Sequence, residues 1–514
     1  MKRDSILVVD FGTSNVHVNV VHVRDGQILY SKSRKYPMLS PKDGYTEINP
    51  HELWQASVQC VKEVLDIMEN VELHAITFSY FGDNIMLADS HGAPLTNIIL
   101  AFDVRGTEEA LGEFGSRFTD EEFIGITGGT CVTFCTGPKL LWFKKHKPEL
   151  FEKTSYFYTN QQWINQNLGL KPLNDYTMAC RKMMFDIKSK EWSKPILSFL
   201  GIKAEQLGEV VPSTEIIGHI DKYGEIALPF TLPVIVGSHD CDCGMYGAGA
   251  GIPDSGIIGD ITGTYDHLGF IEQGFVNAGT ENLEAEIFSY CGPLIDTSVC
   301  LGAFPTSGAV LEWFMREILD DCSPAAYDMM WKHAEFRGDS SLMFNPHFSG
   351  NLGGIYGLGL TKTKEDLFES MIESLTFESR RILEGCKKIK KGSCDKVWVG
   401  GGAARSEKWM QLRADIWGCR VERMQNIEVS SVGAALLAAV KVELYQDIKS
   451  AARSMLHIRD SYEPSKDISD RYIWNWSAMV LRQGEVQHEK IGNHQCGVNE
   501  STYSGKAWTY DYHM

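Results

Sequence analysis

A chain of 514 residues is too long for one hydrophobic core and implies about two domains of roughly 250 residues each. Its formal net charge of −18 excludes a surface built to grip nucleic acid or anionic membranes, so an anionic ligand has to be met by local backbone N–H groups or a metal ion. Thirteen scattered cysteines fit reduced thiols, and no apolar run reaches signal-peptide or membrane-spanning length, which predicts a cytoplasmic protein.

Residues 5–36 read as a three-stranded meander: ILVVDF, the turn GTSN, the alternating VHVNVVHV, a hairpin at Arg24-Asp25-Gly26, then QILYSKSRKY. Asp10 stands where the first strand meets Gly12-Thr13-Ser14. That arrangement suits a Mg²⁺–phosphate pair and an ordinary hairpin turn about equally. A helix is predicted over 51–69, started by Asn49 or Pro50, and a strand over 74–80. Asp83, Asn84, Asp103 and Arg105 follow strand-like runs, where they either orient sugar hydroxyls or line surface loops. Residues 138–167 read as helical.

The strand at 228–237 delivers VGSHDCDCGMYGAGA (236–250), and Asp240 at its end is placed to act as a base. Asp242 shares a face with Asp240 if the run alternates, so periodicity does not separate them. Cys241-x-Cys243 and Cys131-x-x-x-Cys135 lack the paired spacing of a zinc site and read as buried apolar thiols. GIIGDITGTYDHLGF (256–270) follows as a second meander with Thr262-Gly263-Thr264 at its bend. A base close in sequence to a turn that can hold phosphate suggests phosphoryl transfer to a hydroxyl. DFGTSN (10–15) and DITGTYD (260–266) open two halves of similar size, which suggests a duplicated pair divided as 1–250 and 251–483.

Residues 364–388 form an amphipathic helix, followed by the strand KVWVG, the run Gly400-Gly401-Gly402 and a helix at 406–418. The glycine run suits a nucleotide or a tight turn; it is not the dinucleotide pattern. A last helix at 430–445 carries small residues fit for close packing, and 484–514 reads as a polar tail or oligomer contact.

Two long patterns agree with these signals. Phe134-Cys-Thr-Gly-Pro-Lys139-Leu-Leu-Trp142-Phe-Lys-Lys-His146 fits the first signature of the FGGY carbohydrate kinases at each constrained position. Gly353-Gly-Ile-Tyr-Gly357-Leu358, with Asp366-Leu367 and Ser370-Met-Ile-Glu373 after it, fits the second. The chain therefore resembles that family, within the sugar kinase–actin–heat-shock chaperone superfamily, over about 5–480. Among its members the L-fuculose and L-rhamnulose kinases are most similar, through ITFSYFGDNIMLAD (76–89), Ser238-His239-Asp240 and FCTGPKLLWFKKHKPELF.

The resemblance implies an α/β protein of two ribonuclease-H-like, actin-like ATPase domains, each a mixed five-stranded sheet flanked by helices, with a catalytic cleft between them. It implies an ATP- and Mg²⁺-dependent kinase of a small ketose, acting by in-line transfer, with a homodimer as one possible assembly. Xylulose, gluconate or polyol kinases, or a catalytically silent actin-like relative, are the alternatives. Asp240 matches the family's catalytic base, Asp10 the Mg²⁺ neighbourhood, Thr13 and Ser14 the first phosphate turn, and Gly263 and Thr264 the second. Gly308 and Glu312 match positions near the nucleotide, and Gly401, Gly402 and Ser406 the adenosine loop. His239, Asp83 and Asn84 fall on sugar-pocket positions. The sequence departs from the family at Gly82-Asp83-Asn84, where its relatives carry a Gly-Val-Asp, and at Ala101, where many carry tryptophan; both lie where substrate is expected.

Overall fold

The computed structural model describes residues 2–132, 134–263, 265–279, 286–304, 307–338, 341–348 and 353–472. They form two compact units. The first holds the described residues of 1–308, 381–405 and 421–461; the second holds those of 309–380, 406–420 and 462–472. The expected tail at 484–514 lies outside the described residues. Among the described residues no helix is long and apolar enough to cross a membrane.

The first unit carries two seven-stranded mixed sheets. In the first sheet are β1 (Arg3–Phe11), β2 (Asn15–His22), β3 (Ile28–Lys35), β4 (Val71–Tyr80), β5 (Ile216–Tyr223), β6 (Ile226–Ile235) and the short β7 (Ser238–His239). Their order is β5-β6-β4-β1-β2-β3, with β7 also beside β4. The second sheet contains β8 (Ile257–Thr262), β9 (Asp266–Gln273), β10 (Ile287–Cys291), β11 (Thr297–Phe304), β12 (Lys396–Gly401), β13 (Arg420–Met424) and β14 (Ile458–Tyr462). They run in the order β10-β11-β9-β8-β12-β13-β14. Each sheet thus exceeds the expected five strands.

The two sheets share a plan. β1 pairs antiparallel with β2 and parallel with β4; β8 pairs antiparallel with β9 and parallel with β12. In both, the parallel neighbour arrives after a helical crossover, so the first strand is central and its end opens onto a turn. Residues 6–9 of β1 are entirely buried, as a central strand requires.

Helix α1 (Pro50–Ile67) starts as expected: Asn49 caps it by accepting from the His51 N–H, and Pro50 occupies the first turn. The single helix expected over 138–167 is instead broken. Thr136–His146 ends at Lys147, Pro148 opens the short Pro148–Lys153, and Tyr156–Tyr158 is a strand. Thr159 and Gln162 then form a capping box that restarts a helix at Asn160–Asn167. Pro148 lacks the N–H that a continuous helix needs, and the aromatic run pairs with Met86–Ala88.

Helices α2 (Asp240–Gly247) and α5 (Val429–Lys441) meet over β1 and β4. A Cβ on Gly247 would stand 1.9 Å from the Val429 carbonyl oxygen, and one on Gly433 would stand 1.8 Å from that of Cys243. The small residues of 430–445 therefore serve a helix–helix contact as well as a sheet face. Between them in sequence lie α3 (Lys364–Ile389) and α4 (Glu407–Trp417). In the second unit, Trp409 and Trp417 of α4 donate through Nε1 to Thr376 Oγ1 (2.9 Å) and Ser379 Oγ (3.2 Å) of α3, with the Arg413 guanidinium over both rings.

Replacing Gly433 by alanine forces a methyl group into backbone, and overpacking of this kind costs about 3 kcal/mol. Gly433→Ala should lower the thermal unfolding midpoint sharply, which calorimetry measures. A midpoint equal to the parent's would mean the helices do not meet as described.

Candidate active site

β1 ends at Phe11, and Asp10 sits half-buried just before that end. Ser431, in the first turn of α5, donates to Asp10 Oδ2 at 3.2 Å and accepts from Asn19 Nδ2 at 2.8 Å. Burial raises the Asp10 carboxyl to about 7; Asp240 and Glu428 add to the rise, while bonds from Ser79 and Ser431 oppose it. Thr13 and Ser14 follow on the exposed bend between β1 and β2.

Asp240 is the first residue of α2, and its side chain is 33% exposed. Its Oδ1 accepts the Cys241 N–H at 2.6 Å and faces His239 Nε2 at 3.3 Å. Its carbonyl accepts from Ser430 Oγ of α5 at 3.1 Å. Asp242 has a different environment. It is 0% exposed, Tyr290 donates its hydroxyl to Oδ1 at 2.7 Å, and His239 Nδ1 stands 3.4 Å from Oδ2. Within a single turn of helix, a carboxylate open to a reactant and one held inside the protein stand two residues apart.

His239 lies between the two aspartates, anchored by its own N–H donating to Thr177 Oγ1 at 2.9 Å. Burial pulls its pKa down, but Asp240 and Asp242 outweigh burial and the nearby Arg181, so the net shift is upward. Its ring covers Gly82, where a Cβ would stand 2.3 Å from His239 Cδ2. That contact explains the glycine at this position.

Asp83 has a left-handed backbone (φ 52°) and an Oδ1 that, among the described residues, is buried without a hydrogen-bond partner. Burial raises its pKa, opposed by Arg181, His239 and Lys139. Asn84 is turned inward. Its Nδ2 donates to Phe81 O (2.8 Å) and Asn160 Oδ1 (3.1 Å), and its Oδ1 accepts the Asn160 N–H (2.9 Å). The amide is therefore spent on holding the Gly82-Asp83 loop. Asp103 and Arg105 form a buried ion pair, Nε to Oδ1 at 2.8 Å and Nη2 to Oδ2 at 2.6 Å, with Glu47 as a second acceptor.

Sequence reasoning missed Arg181. This half-buried residue ends the helix Tyr176–Arg181, lies over the Tyr290 ring at 4.5 Å and donates to its hydroxyl. Its Nε has no partner among the described residues. The available signal was a pair of cations, Arg181-Lys182, in an otherwise apolar run.

In the second sheet, Gly263 is exposed at the β8–β9 bend, where a Cβ would meet only the Tyr265 carbonyl oxygen, at 3.8 Å, among the described residues; Thr264 lies outside the described residues. Thr262 Oγ1 donates to Gly400 O at 3.0 Å and accepts the Ala403 N–H at 2.9 Å, pinning the glycine run to β8. Gly401 has φ 91°, and a Cβ there would stand 2.0 Å from Thr262 O, so only glycine fits; Gly402 is exposed. Gly308 is in the helix Ser307–Trp313 at the limit of the first unit. Glu312, exposed, and Ser406, which caps α4 by accepting from the Trp409 N–H, belong to the second unit. The structure thus gathers Asp10, Asp83, His239 and Asp240 within electrostatic reach of one another, with Arg181 among them.

Among the described residues, His239, Asp240 and Cys241 are the one group close enough to hold a metal ion. Burial pushes the Cys241 thiol well above its ordinary pKa, so the group does not offer a thiolate.

Solved structures with the same architecture define the class. A ligand-bound xylulose kinase from Lactobacillus acidophilus superposes with a TM-score of 0.84 at 21% identity, covering 96% of this chain and 99% of that one. Plasmodium falciparum glycerol kinase with ADP gives 0.79 at 20% identity, covering 94% and 98%. The fold is that of the α/β sugar kinases. The N-terminal domain of the FGGY family of carbohydrate kinases matches residues 5–247 and its C-terminal domain residues 293–442, and the chain belongs to that family. Curated relatives include a xylulose kinase of Bacillus subtilis, 25% identical over 91% of this chain and 94% of its own length. Glycerol kinase 1 of Saccharolobus solfataricus is 26% identical over 90% and 93%. The protein is accordingly an ATP-dependent phosphotransferase acting on a carbohydrate hydroxyl.

The raised Asp10 carboxyl carries a pH signature. Folded Asp10 holds its proton up to about 7, whereas an unfolded aspartate releases it near 3.8, so stability falls as pH rises through that window. Asp10→Asn should therefore raise the melting temperature of the ligand-free protein more at pH 8 than at pH 5. Equal shifts at both pH values would show that Asp10 ionises normally.

Proposed function

We propose that the protein transfers the γ-phosphoryl group of ATP to a hydroxyl of a small ketose, with Asp240 as general base. The observation that carries this is the contrast between Asp240 and Asp242: one is a third exposed beside Asp10, the other fully buried on Tyr290. With Oδ1 of Asp240 occupied by the Cys241 N–H and His239, Oδ2 is the atom that takes the substrate proton as its oxygen attacks phosphorus. Asp240 and Asp242 on either side of His239 raise its pKa against the effect of burial.

Thr13 and Ser14, with Gly263 and Thr264, are read as the two phosphate turns, and Gly401, Gly402, Ser406, Gly308 and Glu312 as the nucleotide side. The reading divides the chain near residue 250 into a sugar half and a nucleotide half, consistent with the shared plan of the two sheets. Asp10 fits Mg²⁺: it offers carboxylate oxygens whose pKa is raised by burial, with Asp240 and Glu428 adding to the rise, and a cation there would offset that negative charge. Bound there, the ion would neutralise charge developing on the phosphoryl oxygens.

The sugar side rests on Asp83 Oδ1 and Arg181 Nε, a buried acceptor and a buried donor without partners among the described residues. A hydroxyl group donates and accepts at once, so a polyhydroxylated substrate can satisfy both. Asp83 and His239 are retained as sugar-facing; Asn84 acts by holding Asp83 in place. Xylulose leads as substrate because several of the similar curated proteins are xylulose kinases; an L-fuculose- or L-rhamnulose-like ketose is the second reading, from the segment 76–89.

ADP release measured over D-xylulose, L-fuculose, L-rhamnulose, gluconate and glycerol tests the substrate class; no sugar-dependent release from any of them would refute it. Asp240→Asn should lower kcat roughly 10²–10⁴-fold with ATP affinity kept. Asp242→Asn should cost melting temperature more than turnover. The reverse ranking in turnover would transfer the base role to Asp242.

A further inference from the structure

We propose that Tyr36 is a positioning residue that turns the Gly12–Asn15 peptides so that their N–H groups face the phosphates of ATP. This rests on reading that turn as a phosphate site.

Tyr36 follows β3 directly and is 5% exposed. Its hydroxyl donates to the Gly12 carbonyl and stands 3.3 Å from the Asn15 carbonyl oxygen. Its main-chain N–H donates to the Ser14 carbonyl at 3.3 Å, and the Gly12 N–H donates to the Asn15 carbonyl at 2.9 Å. One residue thus engages three carbonyls of a four-residue turn.

A trans peptide holds its C=O and N–H on opposite sides, and the described residues contain no cis bond. With the Gly12 carbonyl turned to Tyr36, the Thr13 N–H points away from it; with the Ser14 carbonyl so turned, the Asn15 N–H does likewise. Among the described residues no backbone carbonyl takes the Thr13 N–H, and Thr13 and Ser14 are exposed. Outward N–H groups of this kind form a concavity that suits an anion. Burial, reinforced by Asp10 and Asp240, drives the Tyr36 phenol upward in pKa, so it stays a donor across the working range.

Tyr36→Phe keeps the ring and the main-chain N–H and removes the hydroxyl alone. The variant should fold with a melting temperature close to the parent's. Its Kd and KM for ATP should rise roughly five- to tenfold, the worth of a buried hydrogen bond, while the sugar KM and inhibition by adenosine, which has no phosphate, stay as in the parent. Parent-like ATP affinity overturns the inference, as does a uniform loss of ATP, adenosine and sugar binding, which marks a merely structural role. Thr13→Val, measured alongside, separates the two layers. If it weakens ATP while Tyr36→Phe does not, the phosphate turn stands without Tyr36. If neither variant weakens ATP, the phosphate-turn reading falls with it.

Discussion

At Gly247 and Gly433 two helices from distant parts of the chain meet backbone to backbone with no room for a methyl group, and the geometry of the site depends on that contact. It brings the first turn of α5 to the ends of β1 and β7, so that Ser431 reaches Asp10 and Ser430 reaches the Asp240 carbonyl. Side chains at these two positions would lift α5 away from α2. The spacing between Asp10 and Asp240 is therefore fixed by close packing of main chain, which deforms far less readily than a contact between long side chains.

That spacing has an electrostatic consequence. Burial of Asp10 at a partly dry strand end, with the nearby Asp240 adding to it, raises its pKa to about 7. In the proposed reaction a cation and a substrate hydroxyl supply the compensation that the free protein lacks. Asp83 Oδ1 and Arg181 Nε, buried without hydrogen-bond partners among the described residues, are costly to leave so, and in the proposed reaction a substrate hydroxyl relieves both. Such groups favour a substrate rich in hydroxyls over one that leaves them unpaired.

Local signals made part of this legible in the sequence. The cap at Asn49, the alternation of residues 15–22 and the apolar run into Asp240 each specify their element within a few residues. The break at 147–159 was missed because the helical pattern on either side outweighed Pro148. In the proposed site, Asp10, Asp240 and His239 stand out in the sequence because they sit at strand ends beside small residues. Arg181 and Tyr36 do not, since the partner each meets is brought by the fold: Tyr290 on β10 for Arg181, the first turn for Tyr36. Asn84 was read as facing the sugar, but only the fold reveals Asn160 waiting 76 residues later to take its amide.

The two sheets show how a repeated plan acquires one chemical centre. β1 and β8 occupy equivalent places, each between an antiparallel hairpin partner and a parallel neighbour, and each carries an aspartate near its end. Asp10 keeps access to the outside and lies within electrostatic reach of Asp240, whereas Asp260 is wholly enclosed. Near the end of β8 the described residues include two exposed glycines, Gly263 at the bend, whose N–H donates to Tyr265 O at 2.8 Å, and Gly402. A frame that presents carboxylates on one copy and bare backbone on the other suits a reaction with unlike demands at its two ends. Proton removal needs a basic oxygen, while a polyanionic leaving group is better held by N–H donors than beside a second negative charge.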